Sequence, residues 1–353
     1  MARFIDLEVT AVNRTTPDAI AVRLAPVDGS TLPFNQGQYL TFRRDIGGVE
    51  LRRAYSISAG IKDGTLEVGI KKVRGGAFST WANEHLKIGD RIEALSPMGT
   101  FHTALSPDAR KHYLGFAIGS GITPVLSILR SVLAVEPNSR FTLIYANRSV
   151  GSAMFREELE DLKNEHMGRL NIVYILKNDP TGIDLFTGRI DAAKLDAMFT
   201  NWVPIATADT AFICGPEPAM HVIADRLAAH GMPKDAIKYE LFGSNQQGQA
   251  PQRAILDDSA TGAVATIVLD GTSQQVSVSD GETILEAALR AGLDAPYACR
   301  AGVCSTCMCQ IREGHADMLT NHALEDYEVA RGTVLSCQAV PTTDTITVEF
   351  QDH

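Results

Sequence analysis

The sequence predicts a multidomain chain: a small antiparallel β-barrel, an α/β domain around a parallel sheet, and a small α+β domain built on a cysteine-rich loop. Three observations lead there. At 353 residues the chain exceeds one typical domain. Its apolar pattern runs as short alternating strands to about residue 105, then as apolar strands and amphipathic helices in turn, then as alternating strands again from 263. Four of the six cysteines fall in one C-terminal pattern.

The barrel spans 1–105. Turn signals at Asp28-Gly29, Gly47-Gly48 and Asp63-Gly64 punctuate the alternating runs, as a small antiparallel barrel requires. The strand Leu51-Arg52-Arg53-Ala54-Tyr55-Ser56-Ile57-Ser58 has an odd charge placement. A regular strand puts Arg53 and Tyr55 on one face, where a cation meets a pyrophosphate and a ring stacks on a planar cofactor; a solvated edge pair has the same pattern. Gly75-Gly76-Ala77-Phe78-Ser79 then feeds a helix at Thr80 to His85. A glycine turn at a helix N-terminus offers free N–H groups to a phosphate, and the plain alternative is a helix entry capped by Ser79.

The α/β domain spans 106–242. Strands are expected at Tyr113–Ile118, Phe141–Ala146, Asn171–Leu176 and Ala211–Cys214, with helices at Pro124–Ala134, Met154–Glu165, Ala192–Phe199 and Glu217–His230, a parallel sheet covered by helices. Tyr113 to Val135 carries a single charge, Arg130, and has the length of a membrane span. Gly119, Ser120, Gly121 and Pro124 divide it instead into strand, turn and helix. Gly119-Ser120-Gly121-Ile122-Thr123-Pro124 begins like a dinucleotide fingerprint, with Pro in place of the third glycine; Pro suits a first helical turn. At the end of the next strand, where an NAD-selective site offers an acid to the ribose, Arg148 and Ser149 suit a 2'-phosphate, so NADPH is expected over NADH. Cys214-Gly215-Pro216 lies at another strand end, where ligands of open α/β sheets bind and where a tight turn also fits.

Residues 243–262, poor in apolar side chains, read as a linker. The α+β domain, 263–353, alternates around one helix at Ile284–Ala291. Cys299, Cys304 and Cys307 are spaced C-x4-C-x2-C, with Cys337 thirty residues on, the ligand pattern of a plant-type 2Fe-2S cluster. The small residues Ala298, Ala301, Gly302, Ser305 and Thr306 let the loop wrap closely, bringing amide N–H groups near the sulfurs. The alternatives are a zinc site, of whose usual paired spacing only Cys304 and Cys307 supply half, and a disulfide framework, which belongs to small exported chains. Cys309 reads as a buried filler. His315 and His322 read as exposed, since no Cys-x-His pair supports Rieske ligation.

Residues 1–242 hold 27 acids and 27 Lys or Arg, whereas 263–353 hold 13 acids and 4 bases, so nine of the ten excess negative charges lie on the cysteine-rich domain. That asymmetry disfavours nucleic acid and anionic membranes, and fits either docking to a basic protein surface or plain solubility. Without a targeting signal, a cytoplasmic location is expected.

In this order, Arg53-Ala54-Tyr55-Ser56, Gly75-Gly76-x-x-Ser79, Gly119-x-Gly121-x-x-Pro124 and Cys214-Gly215-Pro216 resemble the ferredoxin reductase superfamily over the full chain, with a plant-type ferredoxin fused at the C-terminus. The resemblance implies an FAD barrel, an NAD(P) domain and a 2Fe-2S domain of the ferredoxin-like β-grasp fold. It implies Arg53 on the FAD pyrophosphate, Tyr55 on the isoalloxazine, Ser56 near N5, and Gly75, Gly76 and Ser79 on phosphates. NADPH would bind across Gly119, Gly121, Thr123 and Pro124 and pass hydride to the flavin, with Cys214, Gly215 and Pro216 bordering the nicotinamide. Glu240 and Phe242 would close the flavin site.

Glu50-Leu51-Arg52-Arg53-x-Tyr55-Ser56-Ile57, Phe141-Thr142-Leu143-Ile144-Tyr145-x-Asn147-Arg148, Thr320-Asn321 and Val334-Leu335-Ser336-Cys337-Gln338-Ala339 are similar, within that superfamily, to reductases of multicomponent di-iron epoxidases of phenylacetate catabolism. Such an oxygenase component is the implied partner. Reductases of Rieske-type steroid or aromatic-ring hydroxylases share the architecture. A reading of another class is a non-catalytic 2Fe-2S carrier or redox sensor, which would bind no flavin and oxidise no NADPH. Arg300 and Met308 stand where lysine is frequent in the family, which bears on docking.

Overall fold

The computed structural model describes residues 4–179, 182–242, 262–269 and 271–350, arranged around three main sheets. The first is built from β1 (Ile5–Thr16), β2 (Ala19–Pro26), β3 (Tyr39–Ile46), β4 (Val49–Ser56), β5 (Leu66–Lys71) and, after helix α1 (Ala77–His85), β6 (Arg91–Ala94). Its order is β4-β3-β6-β1-β2-β5 and every pairing is antiparallel. A bridge between Ile57 and Val68 joins the two edges, so the sheet closes on a core of Leu7, Val9, Leu40, Phe42 and Ile70. Alternate inward residues on each strand fill that interior. Helix α1 plugs it with Phe78, whose ring lies 6.3 Å from Phe42 and 5.6 Å from Tyr55.

The second sheet contains β7 (His112–Ile118), β8 (Arg140–Asn147), β9 (Leu170–Leu176), β10 (Thr210–Gly215) and β11 (Ile237–Leu241), all parallel, in the order β11-β10-β7-β8-β9. Its fifth strand, β11, was not among the strands expected from sequence. Helices α2 (Ile122–Val135) and α3 (Arg156–Glu165) cover one face, and α4 (Ala192–Asn201) and α5 (Glu217–Ala229) the other. With both faces buried, the strands read as continuous apolar runs. Helix α3 starts two residues later than its periodicity suggests. Met154 and Phe155, the latter at φ 57°, are drawn into the core beside Gly69 of the barrel. A Cβ on Gly69 would stand 2.5 Å from Thr123 Cγ2, so barrel and α/β domain meet without room for one more carbon. Tyr113 to Val135 divides, as expected, into β7, a 3-10 turn and α2. Among the described residues no helix is long and apolar enough to cross a membrane.

The third sheet contains β12 (Ala263–Leu269), β13 (Thr272–Val278), β14 (Met308–Glu313), β16 (Thr333–Leu335) and β18 (Thr345–Phe350); β15 (Ala316–Met318) pairs separately with β17 (Ala339–Pro341). The order is β13-β12-β18-β14-β16, and the one parallel pairing, β12 with β18, lies inside the sheet. Helix α6 (Ile284–Arg290) packs on it, started by Thr283 and Glu286 in a reciprocal cap; a short α7 (Asp326–Ala330) precedes β16. The expected linker, 243–262, lies outside the described residues except for Gly262.

Candidate flavin and iron-sulfur site

A cavity of about 420 Å³ opens where the three units meet. One wall is β4, with Arg53, Tyr55 and Ser56; a second is the end of β11, with Glu240 and Phe242; a third is the loop carrying Cys299 and Cys304. Ser56 donates to Glu240 Oε2 at 3.3 Å. Although Glu240 as a residue is only partly covered, its carboxyl end is sunk in the protein, and burial pushes it up to about 8, against the hydrogen bond from Ser56. Burial also pushes the Tyr55 phenol up, while Arg53 pulls it down. An apolar ring wall with a few polar groups, at this volume, fits a planar heteroaromatic cofactor such as the flavin of FAD.

Arg53 donates to the carbonyl of its neighbour Arg52 at 2.7 Å and lines the cavity. Gly75, at φ 76°, and Gly76 form the turn into α1, and Gly76, not Ser79, is the N-cap. The helix begins at Ala77, three residues before its expected start, which places Ser79 inside the first turn. There its hydroxyl donates to the Gly76 carbonyl at 3.2 Å and accepts from Val73 N–H at 3.2 Å, fixing the turn from within.

At the parallel sheet, the Gly119 and Cys214 turns are brought together. A Cβ on Gly121 would lie 2.2 Å from the Cys214 carbonyl oxygen, and one on Gly215 2.7 Å from Ile118 Cβ, so the backbones touch directly. Thr123 and Pro124 lie buried in the first turn of α2, the Thr123 hydroxyl donating to the Ser120 carbonyl at 3.1 Å. Pro216 caps α5. Burial and the nearby Glu240 push the Cys214 thiol well up, so it is a neutral group. Arg148 and Ser149 stand apart from this cluster beyond the end of β8; Arg148 is 69% exposed and pairs with Asp18 at 3.7 Å. Ser149 opens a 3-10 turn, its N–H bonded to Ser152 Oγ at 3.0 Å.

The three loop cysteines and Cys337, on the connection between β16 and β17, pair two by two. Cys299 and Cys304 sulfurs lie 3.1 Å apart, and Cys307 bonds Cys337. Among the described residues no three His, Cys, Asp or Glu side chains are grouped so as to hold one metal ion. Two thiol pairs, one within the loop and one joining Cys307 of that loop to Cys337 before β17, match two irons with two thiolates each better than one tetrahedral zinc. Ala301 N–H donates to Cys299 Sγ at 3.3 Å, Cys299 N–H to Cys304 Sγ at 3.5 Å and Gln338 Nε2 to Cys337 Sγ at 3.5 Å, the donors that anionic sulfurs need. Arg300 at φ 55° and Gly302 at φ 71° bend the loop; a Cβ on Gly302 would stand 2.7 Å from the Thr320 carbonyl. Cys309 is fully buried on β14, and His315 and His322 are exposed.

Sequence reasoning missed Arg52 and Tyr39. Arg52, 4% exposed, is held by Glu50 at 2.8 Å and by Asp294 of the third unit at 2.8 Å, with its guanidinium 4.3 Å from the Tyr297 ring. Its charge beside Arg53 was the available signal.

Fold and site together define an oxidoreductase of the flavin and iron-sulfur kind. Family models match in three consecutive segments: an oxidoreductase FAD-binding domain over 6–103, an oxidoreductase NAD-binding domain over 116–225, and a 2Fe-2S iron-sulfur cluster binding domain over 267–342. The chain is 40% identical over 354 residues to a 1,2-phenylacetyl-CoA epoxidase subunit of Escherichia coli K12, covering 99% of this chain and 98% of that one. It is 35% identical over 364 residues to the 3-ketosteroid-9-alpha-monooxygenase ferredoxin reductase component of Mycobacterium tuberculosis, covering 99% and 96%. Its fold superposes on phthalate dioxygenase reductase with a TM-score of 0.60 at 22% identity, over 98% of both chains. The chain belongs to the family of oxygenase reductase components that join FAD-, NAD- and 2Fe-2S-binding domains in one polypeptide.

Proposed function

We propose that the chain draws electrons from NADPH and delivers them singly to a di-iron oxygenase component that epoxidises phenylacetyl-CoA. The observation that carries the relay is the shared cavity: one pocket is walled at once by the barrel strand, the edge of the nicotinamide sheet and the cysteine loop. FAD supplies the conversion of an electron pair to single electrons, and the cluster carries them one at a time.

The protein's own residues bind, orient and exclude water. Tyr55 and Phe242 offer apolar surface to the ring system, and Arg53 offers charge to the pyrophosphate. The glycines at 119 and 121 let a dinucleotide backbone approach the strand ends, with Thr123, Pro124, Gly215 and Pro216 shaping that rim. Cys214, neutral and small, borders the nicotinamide. Glu240 holds a proton at its carboxyl and Ser56 a donor beside it, near the reacting edge of the flavin. Arg148 and Ser149 favour the 2'-phosphate of NADPH.

The epoxidase partner rests on the 40% identity to the Escherichia coli protein. A Rieske-type steroid hydroxylase is the second reading, on the 35% identity to the mycobacterial component. A flavin-free carrier or sensor has no use for the two nucleotide-binding domains. Work from NADPH fits a cytoplasmic location.

Reconstitution decides among partners. Purified protein should show flavin bands over broad iron-sulfur absorption, both bleached by NADPH. Mixed with the di-iron oxygenase, it should consume NADPH only when phenylacetyl-CoA is present, with matching epoxide. Coupling to a Rieske oxygenase instead, or a strong preference for NADH, overturns that part of the reading.

A further inference from the structure

The cysteine loop meets the barrel along two strips. In one, Tyr39 and Met98 pack with Ala298 and Cys304, and the Tyr39 hydroxyl lies 3.2 Å from Thr306 Oγ1. In the other, arginines and aromatic rings alternate as a ladder: Arg43, Phe4, Arg52, Tyr297, Arg300. The Arg43 guanidinium carbon lies 3.7 Å from the centre of the Phe4 ring. That of Arg52 lies 5.0 Å from Phe4 and 4.3 Å from Tyr297, and that of Arg300 lies 5.0 Å from Tyr297. At such distances a cation is drawn to the negative face of a ring.

The ladder starts on the barrel and ends inside the cysteine motif. Arg43 and Arg52 stand directly opposite each other on β3 and β4, a placement of like charges that costs stability unless both are compensated. Glu93 accepts from Arg43 at 3.1 and 2.6 Å, and Glu50 and Asp294 each accept from Arg52 at 2.8 Å. Arg52 Nη1, also buried, has no hydrogen-bond partner among the described residues, which leaves the two rings to offset the burial of that corner of the guanidinium. The Asp294 side chain is 36% exposed, so salt screens its pair with Arg52, whereas stacking on a ring excludes water.

Tyr297 stands two residues before Cys299 and Arg300 one residue after it, so a movement of the far end of the ladder moves a cluster ligand. The Arg300 backbone, at φ 55°, is fixed further by its carbonyl, which accepts from Gln338 Nε2 at 3.1 Å. We propose that Phe4 and Tyr297 are positioning residues: through their shared contact with Arg52 they hold the cysteine loop at the flavin cavity and thereby set the rate at which electrons cross from flavin to cluster. The inference rests on the reading of the cavity as the FAD site and of the four cysteines as the cluster site. In the step concerned one electron leaves the reduced flavin and one enters the oxidised cluster. No bond forms or breaks between them, and the ladder carries neither electron nor proton. Transfer between two redox centres slackens steeply as they separate, so a loosened loop is slow even when both centres are loaded.

The test uses full-length protein loaded with FAD and cluster and mixed rapidly with NADPH. Flavin bleaching reports the hydride step, and freeze-quenched electron paramagnetic resonance reports reduction of the cluster. Phe4 lies outside the cavity wall, so Phe4→Leu should bleach its flavin within about twofold of the parent rate while its cluster is reduced about three- to thirtyfold more slowly. Tyr297→Leu should slow cluster reduction over the same range, and Tyr297→Phe, which keeps the ring, should stay within about twofold of the parent. Amide hydrogen exchange across 296–304 should quicken about three- to thirtyfold in both leucine variants and hold steady in Tyr297→Phe. In an Arg52→Met background, neither leucine change should slow the cluster by more than a further factor of about two.

Cluster reduction within about twofold of the parent in the leucine variants, a Tyr297→Phe variant as slow as Tyr297→Leu, or leucine effects undiminished beside Arg52→Met overturns the proposal. Should Arg52→Met fail to fold, the leucine and phenylalanine variants decide by themselves. A parent protein that shows no flavin bands, or whose flavin NADPH does not bleach, sinks the functional reading instead; normal bleaching with unmoved cluster reduction sinks only the ladder.

Discussion

Arg52 Nη2 stands 2.8 Å from Asp294 Oδ1, a contact across 242 positions of sequence that fastens the flavin barrel to the iron-sulfur domain. The pair is unequal. Arg52 is buried and also braced by Glu50 and the Tyr297 ring, whereas the Asp294 side chain is 36% exposed.

Because one partner faces solvent, the bond is worth up to about 1 kcal/mol and is screened by salt. Asp294→Asn should quicken amide exchange at 296–304 by about fivefold at low salt. Raising the salt should loosen the parent interface and leave the variant nearly unmoved. Equal salt responses would show that the contact carries no charge effect.

Glu240 makes stability depend on pH. Its folded pKa is raised to about 8 from an ordinary 4.5, so the folded chain keeps a proton that the unfolded chain gives up between those values. The stabilisation is therefore complete below about pH 4.5 and lost as the pH rises through about 8. Denaturant titrations from pH 5 to 9 should show the parent losing about 1–3 kcal/mol relative to Glu240→Gln. Parallel curves would mean that Glu240 is ionised in the folded protein.

Cys337→Ser removes one sulfur from the pair it forms with Cys307. Iron and acid-labile sulfide should fall to a small fraction of parent content, with the flavin bands of the purified protein retained. A full complement of iron in the variant would point to a different fourth ligand.

Two glycines of one turn should behave differently. Gly121→Ala drives a methyl to 2.2 Å from the Cys214 carbonyl and should cost about 3 kcal/mol or more. Gly119 has open space around its Cβ position but sits at φ 59°, so Gly119→Ala should cost about 1 kcal/mol. Thermal unfolding of the two variants orders them; the reverse order would contradict the close approach of the two turns.

Among the described residues Arg148, its side chain 69% exposed, pairs with Asp18 at 3.7 Å. Arg148→Ala should lower kcat/KM for NADPH about tenfold while leaving NADH nearly as it was. Equal losses for both nucleotides would place the 2'-phosphate elsewhere.

The parts of the site that were legible in the sequence are those written in local spacing. Cys299, Cys304 and Cys307 lie within nine residues, and the turns at 119–121 and 215 announce themselves because glycine suits the positive φ of Gly119 and the close approaches of Gly121 to the Cys214 carbonyl and of Gly215 to Ile118. Short-range rules failed where a neighbour in space decides. Ser79 looked like a helix cap until Gly76 was found in that position, and Met154 looked helical until the barrel drew it inward. The strand β11 is only five residues long and directly follows a 3-10 turn, too brief to show a period, yet it brings Glu240 to Ser56. Tyr39 with Thr306, and Arg52 with Asp294, are set by how folded units dock, and no window along the chain contains both members.

The last strand, β18, lies in the interior of the third sheet, between β12 and β14, although it is made after the whole cysteine loop. The sheet beneath the cysteine loop therefore stays open until Thr345 to Phe350 have inserted between β12 and β14, so all four sulfur ligands depend on a scaffold that the final strand completes.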